Sequence, residues 1–91
     1  MKVKNKFTDK VYEAIQYSYE NFKECKNFIC ENMDISVVPI IPKMRAYNLT
    51  SYESITTINP TDYIIRTITS GSPLYKVVSQ EIMNSNFEII E

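Results

Sequence analysis

Asp62-Tyr63-Ile64-Ile65-Arg66-Thr67-Ile68-Thr69-Ser70-Gly71-Ser72-Pro73-Leu74-Tyr75-Lys76-Val77-Val78 is the stretch that decides the fold. Tyr63–Thr69 is almost wholly β-branched or aromatic, the composition that packs best on a pleated surface. Ser70-Gly71-Ser72-Pro73 follows as a turn, and it holds the chain's single glycine where a positive φ is expected. Leu74–Val78 then returns as the hairpin partner. Alternation puts Ile64, Arg66 and Ile68 on one face of the first strand, and Tyr63 and Ile65 on the other. One of Tyr63 and Arg66 is therefore expected in the core and the other in solvent.

Working outward, Asn59-Pro60-Thr61-Asp62 is a turn by composition. Before it, Tyr52–Ile58, Met44–Leu49 and Ile35–Ile41 read as strands, the last irregular because Pro39 removes a ladder donor. Further upstream, Phe22, Cys25, Ile29 and Met33 fall on one helical stripe, opposite Lys23, Glu24, Asn27 and Glu31. Ser18 is the expected N-cap, and Asn32 or Asp34 the expected stop. Lys10–Tyr17 alternates as a strand. Met1–Lys6, with Lys2, Lys4 and Lys6, reads either as a flexible basic tail or as the outer face of an edge strand. Downstream of the hairpin, Ser79–Asn86 is a short helical turn or loop, and Phe87–Ile90 a last strand. The sum is an α+β domain: one amphipathic helix packed on a mostly antiparallel sheet of five to six strands. Residues 1–91 form a single domain.

Composition narrows the chemistry. With no histidine, the chain lacks the usual proton-transfer group near neutral pH, and one glycine cannot build a phosphate-cradling loop. Cys25 and Cys30, five apart on a helix, point about 140° away from each other, so they are expected as reduced thiols in a cytoplasmic protein. Two cysteines without histidine make a zinc site unexpected. No cofactor, no catalytic group and no membrane span is expected, since the apolar runs are short. Residues 1–45 carry eight Lys/Arg against six Asp/Glu, and residues 46–91 two against five. This asymmetry hints at a basic partner for the acidic half. Lys2, Lys4, Lys6 and Lys10, with Phe7 and Tyr12, form a cationic strip too weak to make direct nucleic-acid binding the expectation.

Two pieces carry a resemblance. Glu13-Ala14-Ile15-Gln16-Tyr17 comes early; Asp62-Tyr63-Ile64-Ile65-Arg66, Leu74-Tyr75-Lys76 and Phe87-Glu88 come late. In order and spacing they resemble a widespread group of small proteins encoded by tailed phages and prophages. That group reads Glu-Ala-Ile-Gln-aromatic, then Gly-Asp-Tyr/Trp-Ile-Ile-Arg/Lys-Gly, Gly-Glu-x-Tyr, and a Phe-x-x-x-Tyr-Glu end. Thr61 and Thr67 stand where the group has glycine, and Ser72-Pro73 where it has Gly-Glu. The resemblance implies an accessory protein of a mobile element, working in the cytoplasm of a bacterial host, and carries over no activity.

The candidate binding residues are Lys43, Met44, Arg45 and Tyr47 on one strand and Tyr63, Arg66 and Tyr75 on the hairpin, a Met/Arg/Tyr mixture typical of interaction surfaces. The expected function is non-enzymatic inhibition of a host protein, such as a defence nuclease, by direct binding. The alternatives are a homo-oligomer that sequesters a nucleotide between Arg45, Arg66 and nearby tyrosines, and a self-assembling structural subunit.

Overall fold

The computed structural model describes residues 1–29, 35–38, 43–47, 55–68, 71 and 73–91; for Tyr19, residues 35–38, Lys43 and Tyr47 it describes the backbone alone. In chain order the elements are β1 (Lys2–Asn5), β2 (Val11–Gln16), a 3-10 turn (Tyr19–Asn21), α1 (Phe22–Phe28), β3 (Ile35–Val38), β4 (Lys43–Tyr47), β5 (Ile55–Ile58), β6 (Tyr63–Thr67), β7 (Tyr75–Val78), α2 (Gln80–Asn86) and β8 (Phe87–Ile89). The architecture is α+β with the sheet predominating. A five-stranded sheet runs in the order β7-β6-β2-β1-β8, and β3-β4-β5 forms a second sheet. Every pairing in both is antiparallel.

Both faces of the five-stranded sheet are covered. On one, Tyr17 and Ile64 share a core with Tyr75, with Cys25 and Ile29 from the α1 region, and with Met44, Ala46 and Ile58 from the second sheet. On the other, Val3, Ala14, Tyr63, Ile65 and Val78 pack with Met83 of α2 and Phe87. Period-two alternation sorts each strand between these cores, so Tyr63 serves the α2 side while Ile64 serves the α1 side.

Several expectations need correction. Lys2–Asn5 is not a tail, nor an edge strand; it lies between β2 and β8 with Val3 fully buried. The helix ends at Phe28, because Ile29 is already extended (φ −82°, ψ 143°). Cys30, Met33 and the expected stop at Asn32 or Asp34 lie outside the described residues, as do Pro39, Leu49 and Tyr52. Ser18 begins the 3-10 turn instead of α1, and its N–H donates to Asn21 Oδ1 at 2.8 Å. Ser79–Asn86 becomes a true helix, with Ser79 Oγ accepting from Ile82 N–H at 3.2 Å.

Gly71 does not have a positive φ; Asp9 (60°) and Thr61 (80°) do. Thr61 sits in the turn after β5, where Asp62 N–H donates to Asn59 O at 3.0 Å. A positive φ at the third residue of such a turn is the type II signature, which favours glycine. The turn is held against the end of β2: Thr61 N–H donates to Tyr17 O at 2.9 Å, and Tyr17 N–H to Asp62 O at 2.8 Å. A β-branched residue there is strained. Thr61→Gly is expected to stabilise the domain by about 1 kcal/mol, read as a higher urea midpoint; a lower midpoint would show that the turn carries no such strain.

Candidate functional site

Ladder register places Glu13, Arg66 and Tyr75 side by side across β2, β6 and β7, on the face that α1 covers. The Arg66 guanidinium lies 4.1 Å from the centroid of the Phe28 ring. It donates to Phe28 O at 2.7 Å and to Glu13 Oε2. Tyr75 Oη donates to the same Phe28 carbonyl at 3.4 Å, and the two rings meet edge to face at 6.5 Å. Phe28 is the last residue of α1, so its carbonyl belongs to the negative end of the helix. Burial by itself would weaken the hold of Arg66 on its proton, but the hydrogen bond and charge of Glu13, then Tyr75, raise its pKa further. Arg66 is thus a permanent cation that closes the helix end. Its donors serve the fold.

Of the five candidate residues whose side chains are described, Arg66 and Tyr75 meet at Phe28 O, but the five do not gather on one surface. Tyr63 is buried on the α2 face, while Tyr75 is buried and Arg66 half-buried on the α1 face. Met44 is fully buried in the seam between the two sheets. Met44, Tyr63 and Tyr75 are therefore core groups and not surface groups: Tyr63 and Tyr75 because both faces of the five-stranded sheet are covered, and Met44 because it lies on the face of β4 turned toward that sheet, opposite to Arg45. Arg45 is exposed on β4, opposite Ser36 and Thr57. For Lys43 and Tyr47 the backbone places both in β4 and their side chains lie outside the description.

Part of the charge asymmetry is met within the fold. Lys2 Nζ lies 3.4 Å from Glu91, and Lys4 Nζ 3.9 Å from Glu88, so the basic start and the acidic end of the chain meet as β1 and β8. Such exposed pairs contribute about 0–1 kcal/mol each, but they remove Lys2 and Lys4 from any free cationic arm.

What the sequence did not reveal is the end of the five-stranded sheet where β1 and β6 finish and β2 and β7 begin. Phe7 (77 % exposed), Leu74 (72 %), Ile68 (51 %) and Val11 (37 %) all sit there. Beside them, on the α2 face, is an open cleft of about 230 Å³ lined by Tyr12, Ile65, Thr67, Leu74, Lys76 and Phe87 among others. The signal available was positional. Phe7 and Leu74 border turns, where an apolar side chain has little core to enter.

Cys25 is fully buried, and its thiol is pushed up to about 11, by burial first and by the charge of Glu24 second. It stays protonated at neutral pH and acts as a small apolar group. Among the described residues no group of three or more His, Cys, Asp or Glu converges to hold a metal, and no helix is long and apolar enough to cross a membrane. No protein-family model, curated protein or solved structure matches the chain.

Proposed function

We propose that the chain is a non-enzymatic binding module that occupies a host protein, and that it does so through the apolar end of the five-stranded sheet. One observation supports the reading: of the large apolar groups left exposed, Phe7, Val11, Ile68 and Leu74 lie at one end of the five-stranded sheet, Phe7 and Leu74 being the two most exposed, whereas Met1, Ile55, Ile82, Ile89 and Ile90 lie elsewhere. Gathered exposed apolar groups mark interaction sites, whereas scattered ones do not. The turn residue Phe7 and the strand-end residue Ile68 are the anchors, since side chains there can enter a partner without disturbing either core. The sequence resemblance supports a setting in the cytoplasm of a phage's bacterial host, where a defence nuclease is the leading class of target. A nucleotide-sequestering role loses its main support, because Arg66 already binds the end of α1.

The test is capture of a host protein from bacterial lysate by the tagged chain, followed by a titration with the purified target. Phe7→Ser combined with Ile68→Ser is expected to weaken the complex about tenfold or more, with an unchanged circular dichroism spectrum. Equal affinity for the variant would remove this end of the sheet from the interface.

A further inference from the structure

The apolar end continues into β7, whose outer side pairs with no strand among the described residues. The phase of the ladder fixes what that side presents. Thr67 N–H donates to Leu74 O at 3.0 Å, and Leu74 N–H donates to Thr67 Oγ1 at 2.9 Å, which makes residues 67 and 74 an inward-facing pair. Hydrogen-bonded and non-bonded pairs alternate along an antiparallel ladder, so the N–H and C=O groups of Tyr75 and Val77 point away from β6. They form a short template for one more strand. The window is bounded by Pro73, which has no N–H, and by Ser79, which caps α2.

Lys76 is exposed at the middle of this window and forms no ion pair among the described residues, unlike Lys2, Lys4 and Arg66. A lysine on an edge strand discourages some partners and invites others. Antiparallel pairing of β7 with a second copy about an axis through residue 76 would set two ammonium groups directly opposite, which is unfavourable. A carboxylate at that position would be favoured. Leu74 and Lys76 are two apart, hence on one face, and both line the cleft that also contains Tyr12, Ile65 and Phe87.

We propose that the outer edge of β7 takes up an extended segment of a partner polypeptide, with a carboxylate opposite Lys76 and, two residues away, an apolar side chain against Leu74 at the cleft. The backbone groups of Tyr75 and Val77 supply the hydrogen bonds, and the two side-chain positions supply selectivity. This rests on the reading of the chain as a protein-binding module and names the chemistry of its partner.

Selection of short random peptides displayed on phage against the immobilised full chain tests it. The expected result is enrichment of sequences with Asp or Glu two residues from an apolar residue. Selection against Lys76→Glu is expected to replace the acid with Lys or Arg at the same spacing. A synthetic peptide of the enriched sequence is expected to bind Val77→Pro about tenfold more weakly. The Val77 N–H lies outside the β6 ladder, so that substitution removes an outward donor without removing a hairpin bond. Absence of the acid–apolar spacing, or a selection that Lys76→Glu leaves unchanged, would overturn the proposal. So would a dimer by native mass spectrometry that Val77→Pro converts to monomer, because the edge would then belong to a second copy. Host-protein capture that survives Lys76→Glu and Val77→Pro but is lost in the Phe7→Ser, Ile68→Ser variant would sink the edge alone. Capture that none of these changes affects would sink the binding surface itself.

Discussion

Arg66→Ala is expected to lower the unfolding free energy by about 3 kcal/mol, a large share of the roughly 5–15 kcal/mol that holds a domain of this size. The truncation removes three interactions at once: the bond to Phe28 O, the ion pair with Glu13, and the stacking of a cation on the Phe28 ring. It also leaves the Glu13 carboxylate beside a partly enclosed gap. The effect should spread into α1, which has seven residues and is too short to persist without tertiary support. Arg66→Lys is expected to recover only about half of the loss, because an ammonium cannot serve two acceptors in one plane while lying flat on a ring. Urea unfolding measures the energy, and amide exchange across residues 22–29 shows whether the helix loosens with it. A variant with wild-type stability and affinity lowered for a partner would reverse the assignment and return Arg66 to the binding surface.

That contrast locates where the sequence was legible. The succession of strands along the chain from Ile35 to Val78 followed from local chemistry, since β-branched density and the turn residues at 59–62 act within the segment that carries them. Their order in space and their division between two sheets did not. Alternation also sorted Tyr63 and Arg66 correctly onto opposite faces. The inference that one lies in the core and the other in solvent held for Tyr63 and only in part for Arg66, which is half-buried, because α1 with the second sheet covers one side of the five-stranded sheet and α2 the other. Elements with few buried residues were hardest to read. In β1 the single core residue is Val3, and its alternating lysines make sense only beside Glu88 and Glu91, more than eighty positions away. In α2 only Met83 is buried, too little for a visible stripe. The stripe of Phe22, Cys25, Ile29 and Met33 predicts a helix longer than Phe22–Phe28, because periodicity reports an apolar face and does not report where the backbone turns extended. The candidate site suffered most. A Met/Arg/Tyr mixture describes an interface core and a domain core equally well, and only a partner strand or helix end distinguishes them.

Met44→Ala puts that ambiguity to a decisive test, and it is expected to cost about 3 kcal/mol. Met44 is the second residue of β4, the middle strand of its sheet, opposite Val37 on one side and Ile58 on the other, and it is fully buried. Its cluster joins the three-stranded sheet to Tyr17 and Ile64 of the larger sheet and to Ile29 at the end of α1. Cutting the side chain back to a methyl group opens a cavity at this seam, and the neighbours on three elements can close it only by shifting together. Arg45→Ala, one residue along on the exposed face, is expected to change stability by less than about 0.5 kcal/mol. The pair separates the two meanings of the same stretch of sequence in one urea series. If Met44→Ala left the midpoint in place while weakening a protein partner, Lys43–Tyr47 would be an interface strand after all. A large loss at Met44 with none at Arg45 instead makes β4 a wall of the core, and leaves binding to the sheet end and the edge of β7.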